Sequence, residues 1–192
     1  MRLGEYDGLL RRVICETKFT AWRRLGREVG RLLGAKLAEA LEGAGVEASR
    51  AVIVPVPTTF WRRMQRGLDH TWCIARGVRD VTGVEIARGL ARRHRVPQAS
   101  LPRSARGANV RGSMQSRELD LSGKTVIVLD DVRTTGATML EACRALQRGM
   151  KERRPERVWA GVVAVTPDSR RRRAVEWRAG GASEFEMLAE GE

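Results

Sequence analysis

The stretch "VIVLDDVRTTGATML", residues 126–140, decides how the rest of the chain is read. A β-branched apolar run reaches two adjacent carboxylates, Asp130 and Asp131. Then come Thr134, Thr135, Gly136, Ala137 and Thr138, and a helical pattern begins. Such a run is a buried strand, and the order strand, short polar turn, helix is half of a βαβ unit. In open α/β sheets ligands lie beyond the carboxyl ends of the strands, where the two acids and the turn fall.

The turn and the acids suit opposite chemistries. Backbone N–H groups at a helix start, with the hydroxyls of Thr134, Thr135 and Thr138 beside them, suit a phosphate dianion. Gly136 lets the main chain come close to it, having no side chain in the way. Asp130 and Asp131 would repel that phosphate, so they face something else. Ionised acids accept hydrogen bonds from the vicinal hydroxyls of a sugar, and they can also hold Mg²⁺, directly or through water. One loop can thus read a ribose 5-phosphate from both ends. Taken alone, Asp-Asp favours a capped strand end with two solvated acids; the whole stretch reverses this in favour of a phosphosugar site.

Outward from this stretch the same alternation recurs. Residues 51–57, "AVIVPVP", read as a strand closed by prolines, and 157–166, "RVWAGVVAVT", as another. Residues 84–93 read as a strand through Val84 and Ile86. Helical spacing covers 6–17, 68–80 and 136–150. In 21–42 it places Trp22, Leu25, Val29, Leu32, Leu33, Leu37 and Leu41 on one stripe. The expected fold is α/β: a mainly parallel central sheet flanked by helices, with N-terminal helices and a mobile basic loop. One domain over 1–192 is expected, with a helical part at 1–45, a core at 51–166 and a peripheral tail at 167–192.

The chain of 192 residues is 42% hydrophobic and 31% charged, an ordinary globular composition. No apolar run is long enough for a membrane helix, and the start lacks a basic-then-apolar leader design. Cys15, Cys73 and Cys143 are far apart and form no C-x-x-C pair, which argues for small buried hydrophobes in a reducing cytoplasm. His70 and His94 fit no metal spacing and read as structural or surface residues.

The net charge is +13, and residues 60–117 hold 13 Arg against Asp69, Asp80 and Glu85. A field of that kind collects phosphates, pyrophosphates or nucleic acid. A genome-wide preference for arginine would raise the total equally well, since only four of the basic residues are Lys. Residues 92–119 have no period and read as an irregular polar stretch, either disordered or a functional lid.

The stretch resembles the phosphoribosyl-diphosphate motif of type I phosphoribosyltransferases. More of the chain is similar to one branch, the ComF-like proteins associated with bacterial competence. "YDGLLRRVICETKF", "VPVPTTFWRRMQRGLDHTWCIAR", "RRHRVPQASLPRSARGANVRGS" and "VIVLDDVRTTGATMLEACRAL" follow in that branch's order. The four-cysteine zinc-binding segment with which the branch commonly begins has no counterpart here. Where the branch usually reads R-G-F-N-Q, this chain has Arg66, Gly67, Leu68, Asp69 and His70, and Val96 replaces its usual Thr.

The resemblance implies transfer of a phosphoribosyl group from phosphoribosyl diphosphate, with Mg²⁺, to a nitrogenous acceptor. Asp130 and Asp131 would be the catalytic acids on the ribose hydroxyls and hold Mg²⁺ indirectly. Residues 134–138 would bind the 5-phosphate. Val56, Pro57 and Thr58, with Arg62, Arg63 and Arg66 behind them, are the counterpart of the pyrophosphate loop. Arg103, Arg106, Asn109 and Arg111 would belong to a closing loop over 95–112. For each arginine singly a solvated surface role stands equally open. Besides the diphosphate and the acceptor, the partners admitted are single-stranded nucleic acid and a second copy in a homodimer; a membrane is not among them. The rival reading is a nucleic-acid-binding or DNA-uptake accessory protein that keeps the site as a regulatory or vestigial pocket. It draws on the charge, on "RRRR" at 170–173 and on "FWRRMQR" at 60–66.

Overall fold

Three β-branched runs build the centre of the molecule. The computed structural model describes residues 1–19, 23–58, 69–92, 110–149 and 153–166. In chain order the elements are β1 (Arg2–Glu5), α1 (Gly8–Phe19), α2 (Arg23–Gly43), β2 (Ala51–Pro55), α3 (His70–Thr82) and β3 (Glu85–Ile86). Then follow β4 (Leu90–Arg92), β5 (Met114–Ser116), β6 (Thr125–Arg133), α4 (Ala137–Gly149) and β7 (Arg157–Val165). A five-stranded sheet runs β1-β7-β6-β2-β3, with every pairing parallel. β4 and β5 form a separate antiparallel ribbon.

Alternation along the strands supplies two cores. Val52 and Val54 of β2 and Val126 and Val128 of β6 pack on one face with Met139, Cys143 and Leu146 of α4 and Leu90 and Met114 of the ribbon. Ala51 and Ile53, with Ile127 and Leu129, pack on the other face against Ile14 of α1, Val29, Leu33 and Leu37 of α2, and Ile74 and Val78 of α3. Both faces of the sheet are therefore covered, as a parallel sheet requires. Burial pushes the Cys143 thiol up to about 12, so this residue is a core filler rather than a nucleophile. Cys73 is buried too, whereas Cys15 is only half-buried beside Tyr6.

The stripe expected on α2 needs correction. Leu32 is exposed, and Trp22 lies outside the described residues. The buried face combines Val29, Leu33, Leu37 and Leu41 with Gly26, Gly30 and Gly34. The glycines sit where α3 crosses, and Gly77 faces them from α3. At this crossing the backbones touch, so the contact selects hydrogen atoms rather than large side chains. Arg27 pairs with Asp80 at its margin, with Arg27 Nη2 2.8 Å from Asp80 Oδ1. That guanidinium holds the Asp80 carboxyl below its ordinary range.

Three other expectations change. β3 begins at Glu85, just after Val84, and a second strand, β4, follows within the stretch assigned to one. Residues 92–119 contain β5, so the aperiodic stretch is not wholly irregular. β1 was not foreseen; it joins the sheet edge as Arg2, Gly4 and Glu5 pair with Val162, Ala164 and Val165. Residues 60–66 and 95–109, His94 and the tail from 167 lie outside the described residues. No helix among the described residues is long and apolar enough to cross a membrane.

Candidate functional site

β2 and β6 pair from Ala51↔Thr125 to Pro55↔Leu129, and the Val56 amide donates to the Leu129 carbonyl at 2.8 Å. There β2 leaves the sheet. β6 continues to Arg133, paired with β7 through Asp130↔Val162, Val132↔Ala164 and Arg133↔Val165. The chain leaving β2 returns through α3 to β3 on one side, and the chain leaving β6 returns through α4 to β7 on the other. The crevice between the ends of β2 and β6 is thus a topological switch point, the place where open α/β sheets take ligands.

Asp130 and Asp131 line this crevice from within the strand. The sequence expectation ended the strand at Asp130; β6 runs on to Arg133 because pairing with β7 persists. Each carboxylate is held locally. Asp130 Oδ1 accepts from the Asp131 amide at 2.9 Å, and Asp131 Oδ1 accepts from the Val132 amide at 2.8 Å. By alternation the two acids point to opposite faces. Asp131 follows Ile127 and Leu129 toward α3 and is buried, while Asp130 is half-buried.

The turn itself is only residues 134–136, with Thr134 and Thr135 exposed. Gly136 has φ +76°, and its carbonyl accepts from the Leu140 amide at 2.9 Å, opening α4. Thr135 Oγ1 accepts from the Ala137 amide at 3.4 Å. The amides of the first helical turn, including those of Ala137 and Thr138, have no intrahelical carbonyl to meet. No acid occupies that turn, so the positive end of the helix is unopposed and suits a phosphate. The reason for glycine differs from the one expected. A Cβ at Gly136 meets nothing closer than Arg133 Cδ at 3.9 Å. Conformation, not space, selects Gly136 here. Gly136→Ala is expected to cost about 1–2 kcal/mol of stability, read from thermal melts; an unchanged melt would remove this account of the turn.

The loop after β2 is stapled on two sides. Val56 is buried, Arg92 Nε donates to the Pro57 carbonyl at 2.7 Å, and Thr58 Oγ1 donates to Asp69 Oδ1 at 3.2 Å. Asp69 is also the N-cap of α3, accepting from the Trp72 amide at 3.3 Å. Trp72 is half-buried, with the Arg88 guanidinium 4.5 Å from its ring centre. Arg111 is exposed in the turn leading into β5. Arg62, Arg63, Arg66, Arg103, Arg106 and Asn109 lie outside the described residues.

Two residues of this neighbourhood escaped the sequence reading. Arg92 was one basic residue among many, with nothing to mark its contact with Pro57. His70 is not a surface residue: it is buried, and its Nε2 lies 3.2 Å from Asp131 Oδ2. Asp69 caps the start of α3, but no local spacing shows what the next residue meets across the crevice.

Among the described residues no group of three His, Cys, Asp or Glu side chains forms a metal cage. Mg²⁺ characteristically takes one or two carboxylates and completes its shell with waters and substrate phosphates. The donor set of Asp130 and Asp131 fits a Mg²⁺ that arrives with a diphosphate rather than a resident one.

No curated protein matches the chain. Among solved structures it is similar to glutamine phosphoribosylpyrophosphate amidotransferase from B. subtilis, with 19% identity, a TM-score of 0.44, and coverage of 71% of this chain and 25% of that one. The chain thus spans about a quarter of that enzyme's length. A protein from Aquifex aeolicus shows 16% identity and a TM-score of 0.48, over 87% of this chain and 77% of that one. Hypoxanthine phosphoribosyltransferase from Trypanosoma cruzi shows 16% identity and a TM-score of 0.46, over 85% and 79%. The model of the phosphoribosyl transferase domain matches residues 69–183, more than half of the chain and the whole strand–turn–helix of the crevice. The chain belongs to the phosphoribosyl transferase domain family.

Proposed function

We propose that the protein binds phosphoribosyl diphosphate with Mg²⁺ in the β2/β6 crevice and transfers the phosphoribosyl group to a nucleobase-like nitrogen. The observation that carries this reading is the single strand–turn–helix over 130–138. It sets two locally held carboxylates beside an unopposed helix start. A ligand with vicinal hydroxyls at one end and a phosphate at the other matches both.

In the reaction the bond from the anomeric carbon to pyrophosphate breaks, and its electron pair leaves with the pyrophosphate. The acceptor nitrogen supplies the pair for the new bond and loses its proton. Positive charge develops on the ribose ring, which Asp130 and Asp131 favour electrostatically while holding the hydroxyls. Residues 134–138 anchor the 5-phosphate, which fixes the sugar for in-line attack. The main chain of 56–58 and the nearby arginines receive the leaving group, whose charge Mg²⁺ neutralises when bound. Within the superfamily the order of motifs along the chain favours the ComF-like branch.

Adding phosphoribosyl diphosphate with Mg²⁺ at about 100 times its dissociation constant is expected to stabilise the protein by about 2.7 kcal/mol. For a chain of this size that raises the melting temperature by roughly 5–10 °C. No shift, together with steeply salt-dependent single-strand binding indifferent to the ligand, would replace this reading with the nucleic-acid one.

A further inference from the structure

We propose that His70 is a positioning residue for Asp131, fixing the acid that faces the ribose and tying it to the head of α3. The proposal rests on the reading of the crevice given above, and it deepens it. Asp131 is the more buried of the two acids, and Val132 holds only one of its oxygens by a local amide. The second oxygen, Oδ2, lies 3.2 Å from His70 Nε2, and both side chains are nearly sealed from water. His70 Nδ1 has no partner among the described residues, so within them nothing but Asp131 orients the ring through a polar contact. The approach is a short polar contact between two buried groups and lacks the alignment of a hydrogen bond, so it acts by packing and polarity on the place of the carboxylate.

The position of His70 gives this contact a wider consequence. Its neighbour Asp69 accepts from Thr58 Oγ1, on the loop after β2. Two adjacent residues at one helix head therefore reach both walls of the crevice: Asp69 the β2 side, His70 the β6 side. The two are anchored on the first turn of a 13-residue helix that packs tightly on α2. Loss of His70 removes the α3 contact on the β6 side, while Asp69 still holds Thr58 on the β2 side.

The test uses the full chain and the variants H70A, H70Q, D131A and H70A/D131A. In ligand-free melts the losses of H70A and D131A should sum to more than the loss of the double variant, as residues in contact do. In titration calorimetry H70A should weaken ribose 5-phosphate about tenfold, the effect of letting a ligand-gripping carboxylate shift from its place. It should leave metal-free pyrophosphate, which the 56–58 side receives and the acids do not, within about twofold. H70Q, whose terminal amide keeps a polar group of similar reach beside Asp131, should recover most of the ribose 5-phosphate affinity. Additive melting losses overturn the proposal. So does equal weakening of both ligands, which is what a general loosening of the fold would give, or an H70Q as weak as H70A. If the wild-type chain binds neither ribose 5-phosphate nor phosphoribosyl diphosphate, the functional reading falls. The contact is then decided by the ligand-free cycle alone.

Discussion

Gly77→Ala is expected to be among the most damaging single substitutions in the chain. A methyl group at Gly77 would lie 1.9 Å from the carbonyl oxygen of Arg27 and 2.8 Å from the Arg31 nitrogen. The obstruction is main chain, which cannot rotate away as a side chain would. From the other helix, a methyl at Gly30 would fall 2.1 Å from the Ile74 carbonyl oxygen. α2 and α3 must therefore separate, opening the core around Val29, Leu33, Ile74 and Val78. Overpacking ordinarily costs about 1–3 kcal/mol, and a clash of backbone on backbone belongs at or above the top of that range. A fall in melting temperature of roughly 6–12 °C follows for a chain of this size. Gly77→Val should be worse. Gly43, at the end of α2, is the control: nothing lies within 4 Å of a methyl there, and Gly43→Ala should be close to neutral. Equal behaviour of the two variants would refute the close crossing. The damage should reach the crevice as well, since the head of α3 carries Asp69 and His70.

The second large effect concerns ligand rather than fold. Asp130→Asn with Asp131→Asn should abolish stabilisation by phosphoribosyl diphosphate and Mg²⁺. Asparagine keeps a side-chain oxygen for the amides of Asp131 and Val132, so the local geometry survives. What disappears is the negative charge that grips the hydroxyls and favours the cationic ring. A loss of at least about 100-fold in affinity, some 2.7 kcal/mol, is expected. The ligand-free melt should fall by no more than about 1–3 kcal/mol, since the amide nitrogen that replaces Asp131 Oδ2 meets buried His70 Nε2. Undiminished stabilisation by the ligand would mean that the acids do not face it.

The central strands and their helices were legible because each carries one strong period. "AVIVP", "TVIVL" and "RVWAGVVAV" are β-branched runs buried on both faces, and α3 and α4 follow turn signals. β1, "RLGE", was not legible. Its residues show no alternation, and the strand exists because β7 offers an edge, with the Met1 nitrogen and carbonyl also bonded to Ala160 and Val162. The β4–β5 ribbon has three residues per strand, too few for any pattern to register. On α2 the apolar residues marked a helix but placed Leu32 inside. A reading that scores glycine as merely small cannot see Gly26, Gly30 and Gly34 as the contact face. The same limit hid His70: its meeting with Asp131 is created by the crossing of α3 over β6, and no local spacing encodes it.

The account depends on a phosphorylated pentose lying between the acids and the helix start. The most direct measurement is an amide NMR titration of the full chain with ribose 5-phosphate. The largest shifts are predicted at residues 134–139, where the amides meet the phosphate, with a second group at 130–132. Saturable binding that left the amides of 134–139 unmoved, or no binding at all, would contradict it.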